Sequence, residues 1–427
     1  MIRLLDISQT DIRDIFARSS PMEDVAAPVA AIIAAVRAEG DAALARYGAQ
    51  FDGVAPSPLQ VTAQELEEAM EQVEPRLLSA LKRAAANIRT FHQNQVRSSF
   101  LTSTGPGVIL GQKVMPIEKV GLYVPGGTAR YPSTVLMDAI PAKLAGCPDL
   151  VMVTPPGKDG KIPAPILAAA RVAGVDRIFK VGGAQAIAAL AYGTQSIPAV
   201  DKIVGPGNAF VAEAKKQVFG KVAIDMVAGP SEILIVSDGR SDPRYLAADL
   251  LSQAEHDKNA SAVLVTDSLL LAKAVQAELE RQIPALDRAE IARTSIDRNG
   301  KIIVARNLDE ALDIANDIAP EHLELCVDSP FDYLDRVRHA GSVFLGRSCP
   351  EALGDYLAGP NHTLPTCGAA RFSSPLSVDD FVKKTQFTYY TPQAFRGAAE
   401  DVDFFARQEG LTGHGKSAMI RLEADKL

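Results

Sequence analysis

Apolar positions along the first ~115 residues recur at helical spacing, and the pattern predicts helices there. Residues 24–47 are Ala-rich with apolar positions on one helical face. Residues 62–92 open with Thr62-Ala-Gln-Glu65, the reciprocal cap that starts a helix. After a short polar stretch the pattern changes, and short apolar runs alternate with helical ones. A first series pairs 120–124 with 133–145, 150–154 with 164–173, 177–181 with 184–192, and 202–204 with 209–218. A second places strands at 233–236, 262–266, 301–304, 323–327 and 342–345, with helices at 245–255, 269–282, 308–318 and 331–339. Strands separated by about 10–15 helical residues predict parallel βαβ units and open sheets with helices on both faces.

The expected fold class is therefore α/β: two doubly wound, incompletely Rossmann-like parallel-sheet domains, a helical N-terminal region and a small C-terminal appendage. The expected boundaries are an N-terminal arm at 1–23, one α/β domain built from 24–118 plus 230–375, a second at 119–229, and a tail at 376–427. The tail, more polar and mixed than the rest, is suited to reach across to another domain or subunit.

Composition narrows the class. A chain of 427 residues exceeds one ordinary core, and 47% apolar with 22% charged residues is the balance of a soluble globular enzyme. Net charge is −8 with basic residues dispersed, which argues against a nucleic-acid surface. The N-terminus carries an acid within a few residues and lacks a signal-peptide profile. The longest apolar run, Val25 to Val36, contains Pro28 and is too short for a bilayer. Cysteines 147, 326, 349 and 367 show no Cys-x-x-Cys spacing and read as reduced, mostly buried thiols. A cytoplasmic location is expected.

Candidate chemistry concentrates in residues 354–366, Gly-Asp-Tyr-Leu-Ala-Gly-Pro-Asn-His-Thr-Leu-Pro-Thr, where no regular hydrophobic period runs. Asp355 and His362 stand there on backbone broken by Gly and Pro, a setting typical of sites. Of six histidines, His256, His322, His362 and His414 share such surroundings. Gln253 and His256, three apart at the end of a predicted helix, project from one face. Each has an ordinary reading too: His256 as a helix-end dipole partner, Asp355 as a turn residue, His414 as a loop residue between glycines. Together Gln253, His256, Asp355 and His414 form an N/O donor set suited to Zn²⁺, with Mn²⁺ or Co²⁺ as substitutes. Glu321-His322 follows Pro320 at a turn into an apolar strand, so both can face a cleft, as general base and water activator or as a capped turn. His92 and His339, on predicted amphipathic helices, read as structural, and Cys326 and Cys349 as inert.

Three strand ends of the first series run into glycine: Tyr123-Val-Pro-Gly126-Gly127, Val181-Gly182-Gly183-Ala-Gln185 and Val204-Gly205-Pro-Gly207-Asn208. Any one could be a tight turn needing glycine; three together favour a nucleotide or similar anion at the strand ends. No Gly-x-Gly-x-x-Gly fingerprint with a downstream acid accompanies them.

Seven segments resemble the histidinol dehydrogenase family, in order and across essentially the whole chain: 120–127, 205–208, 228–232, 250–256, 319–323, 354–366 and 409–414. The resemblance implies a zinc- and NAD-dependent enzyme converting L-histidinol to L-histidine by two hydride transfers. It implies one zinc per subunit on Gln253, His256, Asp355 and His414, NAD contacts at Tyr123, Gln185 and Asn208, and catalysis by Glu321 and His322. It implies substrate contacts at Ser231, Gln253, His256, His322, Asp355, His362, Glu409 and His414. The 119–229 domain would hold NAD and the larger one the metal. Members are homodimers whose C-terminal segment completes the partner's site. A zinc hydrolase or a nucleotide-binding regulatory protein are the competing classes; the first would reduce no nicotinamide and the second would bind no stoichiometric metal.

Overall fold

The computed structural model describes residues 1–10, 15–16, 24–126 and 131–423. Contacts divide the chain into two units, Met1–Gln95 with Ile117–Phe381, and Val96–Pro116 with Val382–Leu427. In chain order the strands are β1 (Arg3–Asp6), β2 (Phe100–Thr102), β3 (Val108–Pro116), β4 (Lys119–Tyr123), β5 (Asp149–Thr154), β6 (Arg177–Lys180) and β7 (Lys202–Val204). They continue as β8 (Ala223–Ile224), β9 (Glu232–Ser237), β10 (Ser261–Thr266), β11 (Lys301–Val304), β12 (His322–Cys326), β13 (Ser342–Leu345) and β14 (Val382–Tyr390).

The first unit contains two parallel sheets. A five-stranded sheet runs β6-β5-β4-β7-β8, and a six-stranded sheet runs β1-β11-β10-β9-β12-β13. In each, strand order reverses once, between β4 and β7 and between β9 and β12. These are the topological switch points of doubly wound sheets, and the α/β fold class expected from periodicity is the one observed.

Strands buried on both faces need apolar residues on both, and β5 (Asp-Leu-Val-Met-Val-Thr) meets that requirement. Its Leu150 and Met152 join the core under the helices Pro75–His92, Pro132–Ala145 and Ala164–Ala173. Val151 and Val153 join the opposite core, under Ala26–Glu39, Gly183–Tyr192 and Ala209–Val218. The N-terminal helices thus cover the five-stranded sheet. The capping box at Thr62 is formed, with Thr62 Oγ1 accepting from the Glu65 N–H and Glu65 returning a bond to the Thr62 N–H.

Three local features differ from the sequence reading. The first ~115 residues are not all helical: β1 is an edge strand of the six-stranded sheet, and β2 and β3 belong to the second unit. Their partners lie far along the chain, where local periodicity carries no information. The predicted helix 331–339 closes after Phe331–Leu334, so His339 lies on irregular backbone. Ala289–Asn299 forms a helix whose apolar stripe is too thin to stand out, with Ala292 and Ile296 its only buried apolar residues.

In the second unit β14 pairs with β3 antiparallel along nine residues, and β2 flanks β3. The helices Pro392–Gln408 and Thr412–Glu423 follow, the first capped by Thr391 Oγ1. Among the described residues no helix is long and apolar enough to cross a membrane.

Candidate active site

The carboxyl edge of the five-stranded sheet collects the glycine turns. Gly205 has φ of 113°, and a Cβ there would lie 2.1 Å from the Tyr123 carbonyl oxygen, so only glycine fits. Tyr123 is buried, which pushes its hydroxyl up to about 12. That hydroxyl accepts a 3.1 Å bond from the Gly183 N–H, tying the first turn to the second. Gln185, in the first turn of helix Gly183–Tyr192, is buried with Oε1 lacking a donor. Asn208 caps helix Ala209–Val218, its Oδ1 accepting from the Val211 N–H at 3.1 Å. Tyr123, Gln185 and Asn208 therefore lie on the three glycine turns of one sheet edge; Gly127 lies outside the described residues.

The second centre lies at the opposite pole of the other sheet, the amino ends of β9 and β12. Helix Leu308–Ile318 ends in left-handed Ala319 (φ 50°) and Pro320, which turns the chain into β12. Glu321 stands just before the strand and His322 is its first residue. The backbone of Glu232, at the start of neighbouring β9, holds both. Its N–H donates to Glu321 Oε2 at 2.8 Å, and its carbonyl lies 3.0 Å from His322 Nδ1. A carbonyl can only accept, so Nδ1 carries the proton and Nε2 keeps its lone pair while the ring is neutral. Burial depresses the His322 pKa and pushes the Glu321 carboxyl well above the ordinary range.

His322 Nε2 lies 3.8 Å from Glu351 Oε1, and ligand atoms of His322, Glu351 and Asp355 fall within 4.8 Å of one another. Burial works against charge on Asp355, yet hydrogen bonding to His362 holds its carboxyl well below the usual range. Burial likewise opposes charge on His362, and Asp355 overcomes it, raising the imidazole. His362 Nδ1 contacts the Asp355 carbonyl at 3.1 Å, and Nε2 lies 3.3 Å from Thr134 Oγ1. Gln253 occupies the last turn of helix Pro243–Ala254; its Oε1 is buried without a donor. His256 lies just past that helix, not on it, its N–H reaching the Gln253 carbonyl at 3.1 Å. Ser231 immediately precedes β9. Glu409 and His414 belong to the second unit, where both line a groove of about 340 Å³ with Phe405 and Leu411.

Sequence reasoning passed over Glu351 and Glu232. Glu351 stands four residues before Asp355, a helical spacing that places both on one face and was a usable signal. Glu232 acts here through its backbone, which leaves no mark in residue identity. Cys147 and Cys326 are buried with raised thiol pKa values, about 11 for Cys147, because burial disfavours the thiolate; Cys349 is half-buried and Cys367 exposed.

A buried histidine whose proton is fixed on Nδ1, paired carboxylates and an unpaired Gln253 Oε1 make the amino edge of the six-stranded sheet the candidate active site of an α/β enzyme. The model of the family described as histidinol dehydrogenase matches residues 17–422. Histidinol dehydrogenase of Syntrophotalea carbinolica is 54% identical over 99% of this chain and 100% of its own length. That of Geobacter sulfurreducens is 52% identical over 99% and 100%. The crystal structure of histidinol dehydrogenase from Elizabethkingia anophelis superposes with a TM-score of 0.94 at 36% identity, covering 100% of this chain and 99% of that one. The chain belongs to the histidinol dehydrogenase family, oxidoreductases of histidine biosynthesis.

Proposed function

We propose that the protein oxidises L-histidinol to L-histidine through histidinal, in two successive hydride transfers to NAD. The observation that carries this reading is His322: its proton is fixed on Nδ1 by the Glu232 carbonyl, and burial keeps the ring neutral with Nε2 free. As hydride leaves the carbinol carbon, His322 Nε2 takes the hydroxyl proton and histidinal forms. Glu321, whose raised pKa makes its carboxylate a stronger base, takes a proton from water adding to the aldehyde. His322 returns its first proton to the carbonyl oxygen as the water adds, then takes a hydroxyl proton of the hydrate as the second hydride leaves, and the acid so formed loses its remaining proton to solvent as the carboxylate. Two NAD molecules in turn, each held at Tyr123, Gln185 and Asn208, would accept one hydride apiece.

Gln253, His256 and Asp355 with His414 suit Zn²⁺. The orphaned Gln253 Oε1 is a ready donor, Asp355 is kept ionised, and the set is nitrogen and oxygen throughout. When bound, the ion would orient the imidazole and amine of the substrate. Ser231, His322, His362 and Glu409 would supply the other substrate contacts.

Glu409 and His414 would come from the second copy of a homodimer with shared sites. The exposed apolar residues of their unit, among them Phe387, Phe404 and Phe405, support that reading. Histidinol-dependent NAD reduction, with two reduced nicotinamides per histidinol and loss on chelation, tests the activity; a metal-independent reaction or no reduction rejects it. For sharing, inactive His256→Ala and His414→Ala proteins are refolded together. Random assortment makes half the dimers mixed, each with one intact site, so about a quarter of wild-type activity returns. Mixed dimers that stay inactive would place His414 in cis.

A further inference from the structure

Beneath the third glycine turn lies a buried ion pair that no catalytic role uses. Lys215, on helix Ala209–Val218, is 2% exposed, and its partner Asp225, after β8, is 1% exposed. A lysine and an aspartate taken this far from water lose more hydration than their attraction ordinarily returns, so the pair is poor evidence of a stability device. Its hydrogen bonds point elsewhere. Lys215 Nζ donates to the Gly205 carbonyl at 2.8 Å, and the Gly205 N–H donates to Asp225 Oδ2 at 2.8 Å. Asp225 Oδ1 takes the Lys215 ammonium and the Met226 N–H.

The consequence is geometric. The N–H of Gly205 belongs to the peptide plane before it and its carbonyl to the plane after it, so the ion pair fixes both planes. Gly205 is thereby held at φ 113°, one of the many backbone conformations open to glycine. The turn so fixed ends in Asn208, which caps the helix whose first amides face the sheet's carboxyl edge. Lys215 is thus tied to the same helix at one end and to the turn at the other.

We propose that the Lys215–Asp225 pair is a positioning device for the dinucleotide, clamping the Gly205–Asn208 turn in the form that receives NAD. Neither side chain touches the cofactor; each acts through the Gly205 backbone. The proposal rests on the reading that NAD binds at this edge.

The experiment measures NAD binding by titration calorimetry on zinc-loaded protein, alongside steady-state kinetics. Lys215→Met strands a buried carboxylate, so the neutral double variant Lys215→Met/Asp225→Asn is made with it. The double variant is expected to fold and to retain its zinc. Its NAD Kd and KM should rise about tenfold, about 1.4 kcal/mol, while kcat and the histidinol KM stay near wild type. A folded double variant with wild-type NAD affinity overturns the clamp and leaves the cofactor reading standing. Absence of saturable NAD binding in the wild-type protein overturns the cofactor reading itself. If neither variant folds, the pair is a folding element and the positioning role is rejected.

Discussion

The two parallel sheets share one winding and use opposite poles. At the five-stranded sheet the carboxyl edge is opened by glycine turns, and the helices Gly183–Tyr192 and Ala209–Val218 begin there. Helix N-termini concentrate unpaired N–H groups and positive potential, which suits an anion such as a dinucleotide. At the six-stranded sheet that edge is stapled shut. Arg347 donates to Ser241 Oγ and to the carboxylates of Asp238 and Asp328, which follow β9 and β12. The candidate acid–base groups stand instead at the amino edge, where the helices Pro243–Ala254 and Leu308–Ile318 end with their negative poles. A cation and a general base are at home in that field, as a phosphate would not be. One winding therefore presents two edges of opposite electrostatic character, and side chains at each edge decide which is closed.

The comparison is most severely tested by removing the cation. Chelation should abolish turnover while far-UV dichroism stays unchanged, because each sheet has its own large core and the donors come from separate segments. Restored Zn²⁺, Mn²⁺ or Co²⁺ should recover activity; unfolding on chelation would show that the amino edge needs the ion to exist.

Next in size is His322→Asn, expected to lower kcat for histidinol and histidinal roughly 10²–10⁴-fold with metal content unchanged. Since burial lowers the His322 pKa, the acid limb of kcat/KM should lie below the ordinary histidine value, activity falling as pH drops through it. The limb should vanish in the variant. Glu321→Gln should slow the step that needs activated water, separating the neighbours when histidinal is supplied directly.

A smaller effect sharpens the contrast at the closed edge. Arg347→Met should cost about 1–3 kcal/mol in denaturant unfolding and leave both KM values alone, because it removes a staple and no site. An altered KM would mean that the stapled edge communicates with a ligand.

The smallest concerns two buried carboxyls, Asp249 on helix Pro243–Ala254 and Glu324 on β12. Burial raises Asp249 to about 6, and burial with the Asp249 charge raises Glu324 to about 8. Folded values above the unfolded ones mean stability present below the ordinary carboxyl range and lost as pH climbs through about 6 to 8. Thermal midpoints of metal-free protein should fall across that window, and Glu324→Gln should flatten the decline.

Much of this was legible in the chain because the signals were local. Helices Leu269–Gln282 and Leu308–Ile318 and strands β7, β11 and β13 fall where the apolar periods put them. Glu321, His322, Asp355 and His362 stood out as titratable groups on broken or turning backbone, and they lie together at one sheet edge. What stayed hidden was carried by distance or by backbone. The pairing of β3 with β14 joins segments that share no local pattern. Lys215, in Glu-Ala-Lys-Lys, looks like one of two solvated lysines; only the fold shows that Lys216 faces water and Lys215 does not. His339 was lost to a helix that ends early, and the holding role of Glu232 belongs to atoms every residue has.

That same β3–β14 ladder sets an order of events during synthesis. β3 leaves the ribosome long before β14 exists, and its nine residues must wait with one edge unpaired while the two parallel sheets assemble. Lys113 in the middle of the strand and Pro116 at its end are the kind of residues that keep a waiting edge from recruiting another chain. The second unit closes only once β14 is released, and the groove bearing Glu409 and His414 lies further along the chain still, so it takes shape well after β3 has been made.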